Sequence, residues 1–385
     1  MLGEVLTGRW LPESERIELP FSAGRILAEE IRSDRDYPPF PRSVRDGFAI
    51  HAADLPGRVK VIGEVRAGER YPGMVGLGEA VEIMTGAPMP DGSDAVVMVE
   101  HVVRDGDWIS TDRSVKPGEN FNPRACEIRA GDLLLRPGHR IDYSSVAMLA
   151  TAGYTSALVY AKPRVAILST GDEIVDVADT PLEHQIRNSN AHSLAVQVTR
   201  AGGVPVVLGV ARDNAASSRE LVAQGLEADL LLLSGGVSAG KYDIVEQVLA
   251  EFGAQFFFDR VLIQPGQPLV FGRAREKFFF GLPGNPASTM VTFELFGRAA
   301  LELLGGASDA PLYFSRAKLT QDFRHRPGLT RFLPACLSGD GSELTAIPWS
   351  GSGDVAALSR ANAFLVAEPD RESWVAGEWI RVLRK

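Results

Sequence analysis

Residues 229–244 read DLLLLSGGVSAGKYDI, and this stretch decides the fold. Leu230 to Leu233 form an apolar run without polar alternation, the pattern of a strand covered on both faces in a sheet wound with helices. A loop with three glycines follows, and YDIVEQVLAEFG then takes helical spacing and ends at Gly253. The same texture recurs on both sides. RVAIL, VPVVLGV, PLVFG and KFFFGL are apolar runs of strand length, while NSNAHSLAVQVTRAGG, AASSRELVAQGLE and TMVTFELFGRAALELLGG have helical spacing. Residues 161–307 therefore read as a doubly wound α/β domain.

Outward from this domain the pattern changes. Residues 37–128 carry short β-rich runs, RVKVIGEV, EAVEIM, DAVVMVEHVV and WIST, with a turn at Asp105-Gly106, and read as an inserted β domain. On either side of the insertion, PFSAGRILAEEIRS predicts a short helix capped by Ser22, and SSVAMLATAG a second one capped by Ser144 or Ser145 and stopped at Gly153. Residues 1–36 and 129–160 are thus expected to form a small discontinuous helical domain. After Pro311 the helices are expected to stop, and alternating runs with GDGS and GSGD turns make 308–385 a compact C-terminal β barrel. The predicted class is multidomain α/β plus β.

The chain has 385 residues, with 40 Lys and Arg against 49 Asp and Glu, a net charge of −9 that disfavours general nucleic-acid binding. No run reaches about 18 uninterrupted apolar residues, so no membrane span is expected. Two cysteines, Cys126 and Cys336, and the absence of a basic then apolar opening point to the cytoplasm.

Ligands of open α/β sheets bind beyond the carboxyl ends of the strands, and three loops there are unusual. STGDEI carries Asp172 and Glu173; SGGVSAGKYD carries Asp243 at a helix opening; GLPGNPAS places Pro283, Gly284, Asn285 and Pro286 before a helix. Glycines admit close approach, and free amides at a helix start attract anions. Carboxylates beside such an anion site imply a divalent cation shared with ligand phosphates, the usual way magnesium is held. The residues alone thus point to Mg²⁺-assisted handling of a phosphorylated small molecule. Six histidines show no HxxH or HExxH pair and no GxSxG occurs, so neither a histidine zinc site nor nucleophilic catalysis has support. Asp46-Gly47 and Thr85-Gly86 read locally as a turn and a strand end.

PPFPRSVRDGFAI, EIMTGAPMPDGSDAVV, VAILSTGDEIV, IRNSN, LLLLSGGVSAGKYDIVEQVL, QPGQPLVFG and GLPGNPASTMVTFEL, in this order, resemble the molybdopterin molybdenumtransferases, the MoeA family that includes the gephyrin E domain. The resemblance spans nearly the whole chain. It implies Mg²⁺-dependent insertion of molybdate into adenylylated molybdopterin with release of AMP, by a homodimer whose cleft uses the inserted domain of the other subunit. It implies Glu173 and Asp243 as required acids and metal ligands, Asp213 as a further acid and metal ligand, and Asp46 and Thr85 as contributions across the dimer. Gly235, Gly236, Ser238, Pro283, Gly284, Asn285 and Pro286 would shape the substrate loops, and Arg331 and Ser352 match positions that hold molybdate. The molybdopterin adenylyltransferase and apo-molybdoenzymes are the partners implied.

The chain departs from the family pattern in three places. The usual KPGKP loop is QPGQP, so Gln264 and Gln267 stand where lysines face the anion, and weaker neutral hydrogen bonds replace charged ones. Arg331, or less favourably Arg273, would supply the missing charge. Near NPRACEIRAGD, Glu127 replaces an aspartate, and Arg42 and Arg45 add positive charge around Asp46. Competing readings are adenylylation of molybdopterin, tungsten insertion, or a catalytically weak paralogue that carries cofactor or scaffolds a complex.

Overall fold

The computed structural model describes residues 11–235 and 244–385, which form two compact units. Gly236, Ser238 and Asp243 lie outside the described residues.

One unit comprises Glu29–Arg136 and Tyr143–Ala157. Its sheet contains β1 (Gly47–Ile50), β2 (Gly57–Val65), β3 (Glu79–Ile83), β4 (Ala95–Met98), β5 (Val103–Asp105) and β6 (Trp108–Thr111), in the order β4-β1-β3-β2-β6-β5. The period of two in these runs sends Phe48, Ile50, Ala95 and Val97 to one buried cluster and Ala49, Val81 and Val96 to the other. Gly106, at φ +60, makes the expected β5–β6 hairpin. Gly47 is not the turn its sequence suggests: it sits inside β1, where a Cβ would collide with the carbonyl of Val97 on β4. Helix α1 (Tyr143–Thr151) starts before both proposed capping serines, which fall in its first turn, and ends at Gly153 with φ +83.

The expected helix over residues 22–31 does not form. Pro20 lies in a three-residue 3-10 turn, Leu19–Phe21, and Gly24 takes φ +81. The next amides are used at long range, Leu27 donating to His139 O at 2.9 Å and Ala28 to Leu158 O at 2.9 Å. Backbone pairing with distant segments thus buries Leu27 and outcompetes a local helix of weak propensity. Among the described residues of the discontinuous domain, α1 is the α-helix that remains.

The other unit comprises Met1–Ala28, Pro137–Asp142 and Leu158–Lys385. Its central sheet contains β7 (Arg164–Thr170), β8 (Val204–Ala211), β9 (Leu230–Ser234), β10 (Gln255–Phe258), β11 (Val270–Ala274) and β12 (Lys277–Leu282). The order is β8-β7-β9-β12-β11-β10, with the first four parallel and the last two antiparallel. Only Arg275 and Glu276, both at positive φ, join β11 to β12, and so short a link permits only a hairpin. Leu230, Leu232, Val165 and Ile167 pack on one face against α2 (Ser189–Arg200) and the helix Arg298–Leu304. Leu231, Leu233, Ala166 and Leu168 pack on the other against the helices Ala215–Gly225 and Ile244–Glu251. Two apolar faces per strand explain the unbroken runs, and the domain is doubly wound.

The C-terminal segment is a closed five-stranded barrel: Thr330–Leu337, Glu343–Ala346, Phe314–Leu319, Trp379–Arg384 and Ala363–Ala367 pair in that order, and the last pairs back to the first. One helix, Val355–Arg360, occurs here against expectation, and Asp354 caps it by accepting from the Ala357 amide at 2.9 Å.

Candidate functional site

At the carboxyl ends of β7, β9 and β12 lies a cavity of about 320 Å³. Its floor begins where β7 ends. Gly171, at φ +133, turns the chain so that the Glu173 carboxylate folds back over it, and a side chain at 171 would collide with that carboxylate. The neighbouring Asp172 accepts from the Asp213 amide at 3.2 Å, and Arg212 donates to the Asp172 and Ile174 carbonyls at 3.2 and 3.4 Å. Asp213 is therefore fixed to this loop through its backbone.

The next wall is the start of α2. Asn188 caps it, its Oδ1 accepting from the Ala191 amide at 3.2 Å and from the Ser169 hydroxyl at 3.0 Å. Asn190 donates to Ser234 Oγ at 2.9 Å and to the Gly284 carbonyl at 2.7 Å, tying the end of β9 to the loop after β12. Gly235, at φ +90, follows Ser234, and its amide donates to Leu282 O at 3.2 Å. Arg187 also lines the cavity, brought there by parallel pairing of Ile174–Val175 with Ile186–Arg187.

Gly284, Asn285 and Pro286 complete the lining. The buried Thr289 hydroxyl donates to Pro283 O at 2.5 Å and Asn285 O at 3.1 Å, fixing the loop. The helix Pro286–Thr292 offers less to an anion than its sequence suggests. Pro286 has no amide, and the Ala287 amide is taken by the Ser352 carbonyl at 2.9 Å. With the Gly235 amide also engaged, the polarity that the described residues offer here rests on side chains more than on bare amides.

The QPGQP loop packs on this same helix: a Cβ on Gly266, at φ +108, would collide with Thr292. Gln264 is the register partner of Arg331 in a short parallel pairing. The Arg331 Nε is buried without a hydrogen-bond partner. Gln267 shapes the loop through its carbonyl, which accepts from the Val261 and Leu269 amides. Arg273 is excluded as the compensating cation. It pairs with Phe278 at the opposite end of the sheet from Leu282, and its guanidinium is 3.2 Å from Glu276.

In the other unit Asp46 and Thr85 are bonded to each other. The Thr85 amide and hydroxyl donate to Asp46 Oδ1 at 2.6 and 2.8 Å. These bonds hold the Asp46 carboxyl below its usual range, so it stays ionised. Arg42 pairs with Glu127 at 2.7 Å, which spends the added charge locally and gives that glutamate a structural partner.

The structure thus assembles Glu173, Gly235, Gly284, Asn285 and Pro286 at one cavity, attaches Pro283 and Ser352 to its loop, and sets Gln264 beside Arg331. Asn190 and Arg187 were not selected as site residues in the sequence. Asn188, just past the strand, is the residue that reads as a cap; Asn190 falls in the first turn of α2, and only their neighbourhood within RNSN hints at more. Among the described residues no group of three or more His, Cys, Asp or Glu could hold a metal.

Residues 2–153 match the family description "MoeA N-terminal region (domain I and II)", 166–303 "Probable molybdopterin binding domain", and 316–384 "MoeA C-terminal region (domain IV)". A molybdopterin molybdenumtransferase of Staphylococcus epidermidis is 35% identical over 377 residues, covering 95% of this chain and 90% of its own. One of Bacillus subtilis is 35% identical over 386 residues, covering 96% and 90%. The crystal structure of the molybdopterin biosynthesis moeA protein from Pyrococcus horikoshii OT3 superposes with a TM-score of 0.80 at 29% identity, over 97% of this chain and 95% of that one. The cavity, the barrel and the inserted sheet thus belong to one known architecture, and the chain belongs to the MoeA family, the molybdopterin molybdenumtransferases.

Proposed function

We propose that this chain inserts molybdate into adenylylated molybdopterin and releases AMP, in a Mg²⁺-dependent reaction of a cytoplasmic homodimer. The observation that carries this reading is the Glu173 carboxylate at a cavity of about 320 Å³ between strand-end loops, in the segment matching a molybdopterin-binding description.

The Glu173 carboxylate and the Ser169 hydroxyl oxygen at the cavity are ligands of the type that suits a hard cation. Glu173 and Asp243 would hold Mg²⁺, with Asp213 nearby in the chain's loop cluster, and the bound ion would neutralise the pyrophosphate of the substrate. Glu173 is oriented by the Gly171 turn, and Asn190 holds the end of β9 and the loop after β12 at a fixed spacing. Arg187 contributes positive charge for phosphate oxygens. Arg331, with Gln264, Gln267 and Ser352, would receive molybdate, which the unpartnered Nε supports. Asp46, kept ionised by Thr85, would act on the substrate of the partner subunit.

The glutamines at 264 and 267 favour one other reading, a cofactor carrier with little turnover. Anaerobic incubation with adenylylated molybdopterin, Mg²⁺ and molybdate separates the two. Release of AMP together with activation of an apo-molybdoenzyme supports insertion; cofactor binding without AMP release makes the chain a carrier.

A further inference from the structure

Two buried polar atoms at the cavity have no hydrogen-bond partner, Thr170 Oγ1 and Asn190 Oδ1. Buried polar atoms are nearly always satisfied, so each such atom asks for an explanation. The orientation of the Asn190 amide is fixed chemically. Its nitrogen must face the Gly284 carbonyl at 2.7 Å, because a carbonyl only accepts, and the oxygen is therefore the free end. Both atoms flank the Ser234–Gly235 turn: Asn190 bonds Ser234, and Thr170 crowds the space above Gly235.

The Asn190 amide oxygen accepts and has no proton to donate. Phosphate and molybdate oxygens also accept, so the corner disfavours them; a ligand group carrying N–H or O–H suits it. Resting on the proposed function, we infer that Asn190 and Thr170 form the recognition corner for the hydrogen-bond donors of the pterin heterocycle. Asn190 then has two jobs at once. Its NH₂ clamps Ser234 at the end of β9 to the loop after β12, and its oxygen reads the ring, so strand-end spacing and pterin recognition are set by one side chain. The anionic part of the substrate is left to Arg187 and to the cation that Glu173 would hold.

The test measures dissociation constants of three probes, molybdopterin under anaerobic conditions, AMP, and inorganic pyrophosphate, for the wild type, Asn190→Ala and Thr170→Val. Loss of a hydrogen bond to a ligand donor predicts about tenfold weaker molybdopterin binding by Asn190→Ala. Thr170→Val, which is isosteric and keeps the fold, weakens it several-fold, while AMP and pyrophosphate bind within twofold of the wild type. Equal losses for all three probes would make Asn190 a clamp only and overturn the inference. So would a loss confined to AMP, which would give the corner to the nucleotide, or unchanged molybdopterin binding by Thr170→Val. A wild-type protein that binds pyrophosphate but not molybdopterin would instead overturn the proposed function, and this inference with it.

Discussion

Gln264 and Arg331 are register partners across a two-residue parallel pairing, and the Arg331 Nε beside that pairing is buried with no acceptor. A guanidinium nitrogen removed from water without an acceptor is costly, and a bound oxyanion would relieve that cost. Arg331→Ala is therefore expected to weaken molybdate binding at least about tenfold, since hydrogen bonds to charged groups contribute about 1.5–3 kcal/mol. Gln264→Lys should tighten it. Arg273→Ala, at the far end of the sheet, should leave it unchanged. Titration calorimetry with molybdate on the three variants checks all of this, and an effect of Arg273→Ala equal to that of Arg331→Ala would remove Arg331 from the oxyanion site.

Glu173 is held over the Gly171 turn, where no other residue could sit without displacing its carboxylate. Glu173→Gln keeps the shape and removes the charge. AMP release from adenylylated molybdopterin should fall by about a hundredfold or more, the magnitude typical for losing one electrostatic group of a reacting site. Normal release would show that the charge is not needed.

Thr85 sets the ionisation of Asp46. Because the folded pKa of Asp46 lies below 3.8, its ionised form stabilises the fold above the unfolded value, and that contribution is lost as pH falls through the lowered folded pKa. Thr85→Val removes the hydroxyl bond and leaves the amide bond, so the Asp46 pKa should rise part of the way back. A carboxylate-carbon NMR titration reads this directly. If the titration midpoint moved down or stayed put, the hydroxyl would have no part in it.

Gly47 lies where β1 passes so close to β4 that a methyl group would meet the Val97 carbonyl. Gly47→Ala should cost about 3 kcal/mol or more, the upper range for forcing extra volume into a packed site. Denaturant unfolding measures it, and a loss under about 1 kcal/mol would mean that the strands can separate freely.

The parts of this fold that were legible in the sequence are those governed by short-range pattern. Leu230–Leu233 and Phe278–Phe280 declare a doubly covered sheet because every side chain is apolar, and the inserted strands declare themselves by their period of two. What escaped was decided at long range. Residues 22–31 carry a helical stripe, yet their amides find partners at His139, Ile141 and Leu158. Val355–Arg360 spans only six residues, too few for a periodic signal, and Gly47 looks like any glycine after an aspartate. At the site, Glu173 and the Pro283–Pro286 loop stood out through their position after strands. The open carboxamide of Asn190, the engaged amide of Ala287 and the lone Nε of Arg331 depend on neighbours tens of residues away, and no local spacing encodes them.

The barrel closes through the pairing of Thr330–Leu337 with Ala363–Ala367, so its five strands share one continuous hydrogen-bonded ring. One strand from outside the ring is joined to it: Ile263–Gln264 runs parallel to Thr330–Arg331 at the start of the first barrel strand. The QPGQP loop is thereby anchored to the barrel through main chain, so the side chains at 264 and 267 can be exchanged while that anchor stays in place.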